Sequence, residues 1–204
     1  MKKHLRKLFA VLLSVMLIVS VFPGAIAETQ NLADVANVNN VNYATLAAAV
    51  AAAQNGETIR VIADISDEAV TVNKNLTITG TATLNNVSIT MSGTTVELTV
   101  SGLNFTGSSY INANNGAALT VTDVTATVAP TKLSGRAAFI VAGTSELSHG
   151  LKLVVKNNVI KSAQSKTDFY SAAIFGWRYI NDGSEISVNT FGAEDNSYTF
   201  IGVK

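Results

Sequence analysis

The sequence predicts an all-β protein, a parallel β-solenoid of short stacked strands opened by one short α-helix. Three observations predict it. The pentad LTITG at Leu76 returns as LTVSG at Leu98 and LTVTD at Leu119, 22 and 21 residues on, with looser echoes in LVVKN at Leu153 and ISVNT at Ile186. Between these runs stand Asn, Asp and Gly, which tolerate the left-handed backbone angles that sharp corners need. Residues 42–55, by contrast, carry apolar residues at helical spacing on an alanine background. The recurrence marks a solenoid because one repeat cannot bury its apolar side alone, whereas stacked repeats close a common interior.

The chain opens with Lys2, Lys3, Arg6 and Lys7, an apolar run over residues 8–22, and then Pro23, Gly24 and Ala25-Ile26-Ala27. That order reads as a secretory signal peptide, residues 1–27, cleaved after Ala27. The apolar run is shorter than the roughly 20 residues a spanning helix needs. No membrane span is therefore expected after cleavage, and the expected address is extracellular, secreted or on the cell surface. Removing the segment leaves 177 of the 204 residues, enough for one domain with a sizeable core. It also leaves ten basic residues against fourteen acidic, a net charge of −4. Such a balance offers nothing to nucleic acid or to an anionic lipid surface. Cysteine is absent, so an exported chain must be held by its core, which fits bacterial export. The Asn-x-Ser/Thr triplets at Asn75, Asn86 and Asn104 read as by-products of Asn-rich turns and Thr-rich strands.

Residues 28–41, ETQNLADVANVNNV, are polar without a sustained period and read as a flexible leader. Next, Tyr43, Leu46 and Val50 fall at i, i+3 and i+7, with Asn42 placed as N-cap and Asn55-Gly56 as a left-handed stop. This predicts a capping helix over about 42–55. Residues 58–65, TIRVIADI, switch to strand alternation. Through the repeats the inward set reads Leu76, Ile78, Val87, Ile89, Leu98, Val100, Leu103, Phe105, Leu119, Val121 and Val124, then Leu151, Leu153, Val155, Val159, Ile186 and Val188. Thr and Ser between them face out. One recurring corner is read at Asn85-Asn86, Ser101-Gly102, Thr122-Asp123 and Asn157-Asn158. VSIT at Val87 lies eleven residues from both LTITG and LTVSG, so the first coil can be counted in two ways. Beyond Val128 the units lengthen through residues 129–136 and 162–183, which places inserted loops, the usual seat of binding surfaces, in the later coils.

The run YATLAAAVAAAQNGETIRVIADI, continuing into VTVNKNLTITG, resembles the entry segment of the pectin-lyase-like right-handed parallel β-helix domains of Gram-positive cell-surface and adhesin-type proteins. The matching positions are Tyr43, Thr45, Leu46, Ala49, Val50, Ala53, Gly56, Thr58, Ile59, Val61 and Asp64, then Leu76, Thr77, Ile78 and Gly80. The likeness is good over about residues 42–107 and loose afterwards. It implies a helix plugging the first coil and a right-handed superhelix of three parallel sheets over residues 42–204. For function it implies either polysaccharide-cleaving enzymes or adhesins, wall-associated proteins and domains without activity.

The chemistry favours the second group. A lyase needs a cation or positive side chain on the uronate and a base near the abstracted proton, and a hydrolase needs two carboxylates flanking the bond. Here the acids are scattered, and neither the Arg-x-Pro-x-x-Arg segment of pectate lyases nor the Gly-His-Gly and Arg-x-Lys elements of polygalacturonases occur; Ser148-His149-Gly150 and Val188-Asn189-Thr190 are fragments of the latter set. His149, in a polar loop, reads as solvated. The turn Asp182-Gly183-Ser184-Glu185 could hold calcium, but reads as a plain strand connection. No catalytic residue, metal site or cofactor is assigned. Residues 169–182 gather Tyr170, Trp177, Arg178 and Tyr179, and aromatic faces with a flanking cation hold sugar rings; core packing of Ile174 or Phe175, with Trp177 closing a cavity, is the alternative. Ice binding, which Thr-x-Thr suggests, needs matched pairs at one phase on many coils, and Thr77/Thr79, Thr81/Thr83 and Thr125/Thr127 are read as out of phase.

The expectation is thus an exported, non-enzymatic surface domain, adhesin-like or contacting polysaccharide or cell-wall glycan. A divergent lyase or glycoside hydrolase is the alternative, and a structural spacer of a larger surface protein is a third reading. The strand-like ending SYTFIGVK leaves two expectations: residues 191–204 fold over the last coil, or the chain belongs to a longer protein, with end-to-end self-association through a bare sheet edge.

Overall fold

The computed structural model of the chain describes residues 33–129, 137–142, 150–163, 171–176, 180–193 and 200–203. Ala36–Val38 (β1) and Val41–Tyr43 (β2) form an antiparallel hairpin. Its two-residue turn has Asn39 at φ 50° and Asn40 at φ 65°, the paired left-handed angles that match the twist of a tight hairpin. Leu46–Ala52 (α1) follows. Six strand triplets come next: Glu57–Val61 (β3), Ile65–Ser66 (β4) and Ala69–Val72 (β5); Leu76–Gly80 (β6), Thr83–Asn85 (β7) and Ser88–Ser92 (β8); Glu97–Ser101 (β9), Asn104–Gly107 (β10) and Tyr110–Asn115 (β11). The last three are Ala118–Thr122 (β12), Thr125–Val128 (β13) and Ala137–Ala142 (β14); Lys152–Lys156 (β15), Val159–Ser162 (β16) and Ser171–Gly176 (β17); and Glu185–Ser187 (β18), Thr190–Ala193 (β19) and Phe200–Val203 (β20).

Every strand of a triplet pairs in parallel with its counterpart in the triplets before and after. The result is three sheets, ordered β18–β15–β12–β9–β6–β3–β1–β2, β19–β16–β13–β10–β7–β4 and β20–β17–β14–β11–β8–β5. Among the described residues the structure is therefore mostly β, with stacked parallel sheets and one helix, an order compatible with the predicted solenoid. The pentads all fall on the first sheet, with Leu76, Leu98, Leu119 and Leu153 in one register. VSIT belongs to the third sheet, which settles how the first repeats are counted.

The corners explain the periodicity. Between first and second strands a two-residue corner puts Gly102 (φ 72°), Asp123 (φ 56°), Asn157 (φ 57°) and Val188 (φ 53°) in the left-handed region. At Gly102 a Cβ would also meet the Gly80 carbonyl oxygen at 2.5 Å. Asp67 (φ 57°) and Asn86 (φ 55°) turn the second corner instead, so the Asn85-Asn86 signal and the other three mark two different corners rather than one.

Inward positions pack into one apolar cluster, and the predicted set from Leu76 to Val155 is buried throughout. Three predicted members differ. Val159 is only half-buried and Ile160 takes its place at 1% exposure, because the second corner residue, Asn158, turns its side chain inward and shifts the parity. Val188 is 75% exposed, since it occupies the outward corner position of Asn157. Ile186 is in register with buried Val155 but lies on the edge strand and is 37% exposed. In β14 alternation breaks: Phe139 and Ile140 are both in the core, and Phe139 meets Phe105 edge to face at 5.0 Å between ring centres.

Two expectations at the entry are corrected. The stretch read as a leader up to Val41 contributes β1, whose Ala36 and Val38 are buried and which pairs antiparallel with β3. The helix is shorter than residues 42–55, and its N-cap is Thr45, not Asn42, because Val41–Tyr43 is used in the hairpin. The Thr45 hydroxyl accepts from Ala48 N at 3.0 Å, and the Glu68 carboxylate accepts from Leu46 N at 3.2 Å and Ala47 N at 2.6 Å. At the other end Lys74 Nζ donates to the carbonyls of Ala51 and Ala53. A negative group at the first turn and a cation at the last both suit the helix dipole. Leu46, Ala49 and Val50 face the core, so the helix lays its apolar side on the stack.

Candidate functional site

The third sheet is where the insertions gather. Residues 129–136, 163–170 and 194–199 connect second to third strands in the last three triplets, and residues 143–151 and 177–184 lead out of β14 and β17. Earlier corners take only two to four residues at the same places. The long connections thus flank the third sheet at both strand ends, and all belong to the later triplets, as the lengthening of the repeats predicts.

Tyr170, Trp177, Arg178 and Tyr179 lie in these connections, outside the described residues, as does His149. Tyr170 precedes β17 and Trp177 follows it. The ends of that six-residue strand are about 17 Å apart at ~3.3 Å per residue, so the aromatic segment read as one cluster enters the fold from two ends of a strand. Ile174, in between, is in the core at 1% exposure.

Beside β14 the outer face of β11 carries Tyr110, Asn112 and Asn114, alternating with buried Ile111 and Ala113. Tyr110 and Asn112 are in register with Ser88 and Thr90, and the register shifts before Asn115. The Asn112 Oδ1 accepts from Asn114 N at 3.1 Å. The Asn114 Oδ1 is buried and accepts from nothing. On the far side Asn112 is in register with Val141, itself 3% exposed. The face therefore carries an aromatic ring and two amides in one row, with the Asn114 Oδ1 closed off from solvent. Sequence reasoning misses this row; its one signal is the polar alternation in YINANN.

Charge plays little part on this face. Among the described residues the carboxyls held below the ordinary range are Glu57, by the Gln54 N–H and the Asn39 amide, and Glu185, by the Ser187 hydroxyl and Lys156. Glu57 is half-buried and Glu185 exposed, and both belong to the first sheet. In the turn before β18, Ser184 Oγ donates to Asn181 O at 2.7 Å and accepts from Leu153 N, while Glu185 pairs with Lys156 at 3.6 Å. These are the bonds of a strand connection. Among the described residues no three His, Asp or Glu side chains gather as a metal site.

The threonines of the first sheet correct one expectation. Thr58, Thr77, Thr99 and Thr120 form one outward rank, and Arg60, Thr79, Ser101, Thr122 and Lys156 form the next. Thr77/Thr79 therefore does recur at one phase, as Thr99/Ser101 and Thr120/Thr122; Thr83 and Thr125/Thr127 lie on the second sheet. The ranks stop after three matched pairs, between Arg60 and Lys156, and Ser101 Oγ donates to Thr79 Oγ1 at 3.0 Å. An array this short suits an exposed pleated surface more than a lattice for a solid ligand. Comparison with protein-family models, with curated proteins and with solved structures finds no match to the chain.

Proposed function

We propose that this chain is an exported, non-enzymatic domain of the cell surface, folded as a pectin-lyase-like parallel β-helix and contacting polysaccharide or cell-wall glycan. Right-handed winding is the expected sense, since parallel crossovers take that hand in ~98% of cases. The order of the first residues supports export, with cleavage after Ala27. The contact surface is the outer face of the third sheet, together with the connections that carry Tyr170, Trp177, Arg178 and Tyr179.

One observation carries the reading: the outward row of Tyr110, Asn112 and Asn114 along β11. Asn112 and Asn114 are half-buried, and an amide can both donate to and accept from a sugar hydroxyl. A planar amide and an aromatic ring beside it are the groups that orient sugar rings.

A panel of neutral and uronic-acid polysaccharides tests the proposal, by binding and by assays for unsaturated products and new reducing ends. Saturable binding without turnover is expected. Turnover abolished by replacing a single acid would establish the lyase or hydrolase reading instead, and a chain that binds nothing would be a structural spacer.

A further inference from the structure

A second site lies at the other end of the molecule, on the corner between the first and second sheets. Here β1, β3 and β6 meet in a cleft of about 370 Å³, lined among the described residues by Asn37, Arg60, Val61, Ile62, Gly80 and Thr81. Its size falls within the ~300–1,000 Å³ typical of small-molecule sites. At its floor the strands approach so closely that residue 80 admits no side chain: a Cβ there would stand 2.4 Å from the Val61 carbonyl oxygen.

The walls are held by bonds that do not engage Arg60. The corner of β3 is tied down by Ile62 N and Ala63 N, which both donate to Val35 O. Thr81 O accepts from Asn104 Nδ2 at 3.1 Å. The Asn37 amide is used within its hairpin, donating to Asn42 and accepting from Asn40 N. Arg60 stands between Asn37 and Thr79 in the register, exposed and without an ion-pair partner among the described residues. The nearest acids in sequence are engaged elsewhere, Glu57 with Asn39 and Gln54 and Asp64 with Thr83 N. Beside the guanidinium Ile62 is 44% exposed.

From this combination we infer that the Arg60 cleft binds the carboxyl terminus of a peptide with an apolar last residue. A planar guanidinium takes a carboxylate through two parallel N–H···O bonds. One cation with one hydroxyl matches a monoanion, whereas a phosphate polymer calls for several cations. The exposed Ile62 edge favours an apolar side chain over a uronate ring, which is polar all round. This site is separate from the third-sheet face and does not rest on the carbohydrate reading.

The test titrates the full chain with N-acetyl-alanyl-alanine, its C-terminal amide, galacturonate and inorganic phosphate, with Arg60→Gln and Ile62→Ser as variants. The free acid is expected to bind saturably and more weakly as salt rises. The amide, and the acid on Arg60→Gln, should each bind at least tenfold more weakly, and Ile62→Ser should narrow the margin of the dipeptide over galacturonate. Arg60 is exposed, so unchanged melting of Arg60→Gln is the control for folding. Equal binding of acid and amide, undiminished binding by Arg60→Gln, or galacturonate or phosphate matching the dipeptide would each overturn the inference.

Discussion

At the scale of single residues, two corners make opposite predictions. Val188 is a β-branched residue at φ 53° and 75% exposed, where the preceding triplets place Asn157, Asp123 and Gly102. A left-handed angle costs such a residue about 1–2 kcal/mol, so Val188→Asn is expected to stabilise the chain by about 1 kcal/mol in chemical denaturation. A neutral or lower value would mean that this corner is not left-handed. Asn158 is the reverse case, being 1% exposed with its Oδ1 accepting from Val124 N and its Nδ2 donating to Val121 O, both at 2.9 Å. It continues upward, since Asn158 N donates to Asn189 Oδ1. Asn158→Ala strands two buried backbone groups and is expected to cost roughly 2–4 kcal/mol. Both residues stand in plain view in the sequence, but in each two-residue corner the second position points inward, as Leu103, Val124 and Asn158 do, a step that strict alternation does not count. That is why simple alternation points to Val159 where the core takes Ile160.

At the scale of elements, the seven-residue helix is too short to stand alone and leans on its caps. Glu68 reaches back from the corner before β5 to accept from Leu46 N and Ala47 N. Glu68→Ala is expected to lower stability by about 1 kcal/mol, read as loss of helical ellipticity together with a lower Tm. Apolar spacing is enough to find the helix, yet it places the N-cap three residues early, at Asn42 instead of Thr45, because the hairpin uses Val41–Tyr43; the added support from Glu68 crosses 21 residues and is invisible to local pattern. The hairpin before it is hidden in the same way, because Asn39-Asn40 sits in a polar stretch with few apolar anchors, Ala36 and Val38 being the buried ones. Glu57 fastens this hairpin to the stack through Asn39 Nδ2 at 2.7 Å and also accepts from Gln54 N, and these bonds lower its pKa. A lowered folded-state value means stability that is present above the unfolded glutamate pKa and lost as pH falls through the folded value. The acid limb of a Tm profile below about pH 4.3 is therefore expected to be shallower in Glu57→Gln than in the parent chain.

At the scale of the whole molecule, the order of strands in the first sheet is legible in the repeats alone, since each LTxx pentad must lie over the last to bury its apolar side. Parallel stacking makes stability a sum of neighbouring contacts, so hydrogen exchange is expected to be slowest in β6, β9 and β12 and fastest in the edge strands β2 and β18. The placement of insertions is legible too, as a lengthening of the period after Val128. That they flank one sheet is not, because the period reports length and not the corner at which the length is added. For the same reason the threonine ranks of the first sheet look out of phase in the sequence, and the row Tyr110, Asn112 and Asn114 does not stand out among so many alternating strands. The function proposed for the molecule turns on that row. Its most direct measurement pairs glycan affinity with thermal melting in Asn114→Leu, using the polysaccharide that the parent chain binds. The variant is expected to melt no lower than the parent, having lost a buried acceptor without a donor, and to bind at least tenfold more weakly. Unchanged affinity in a normally folded Asn114→Leu would contradict the account.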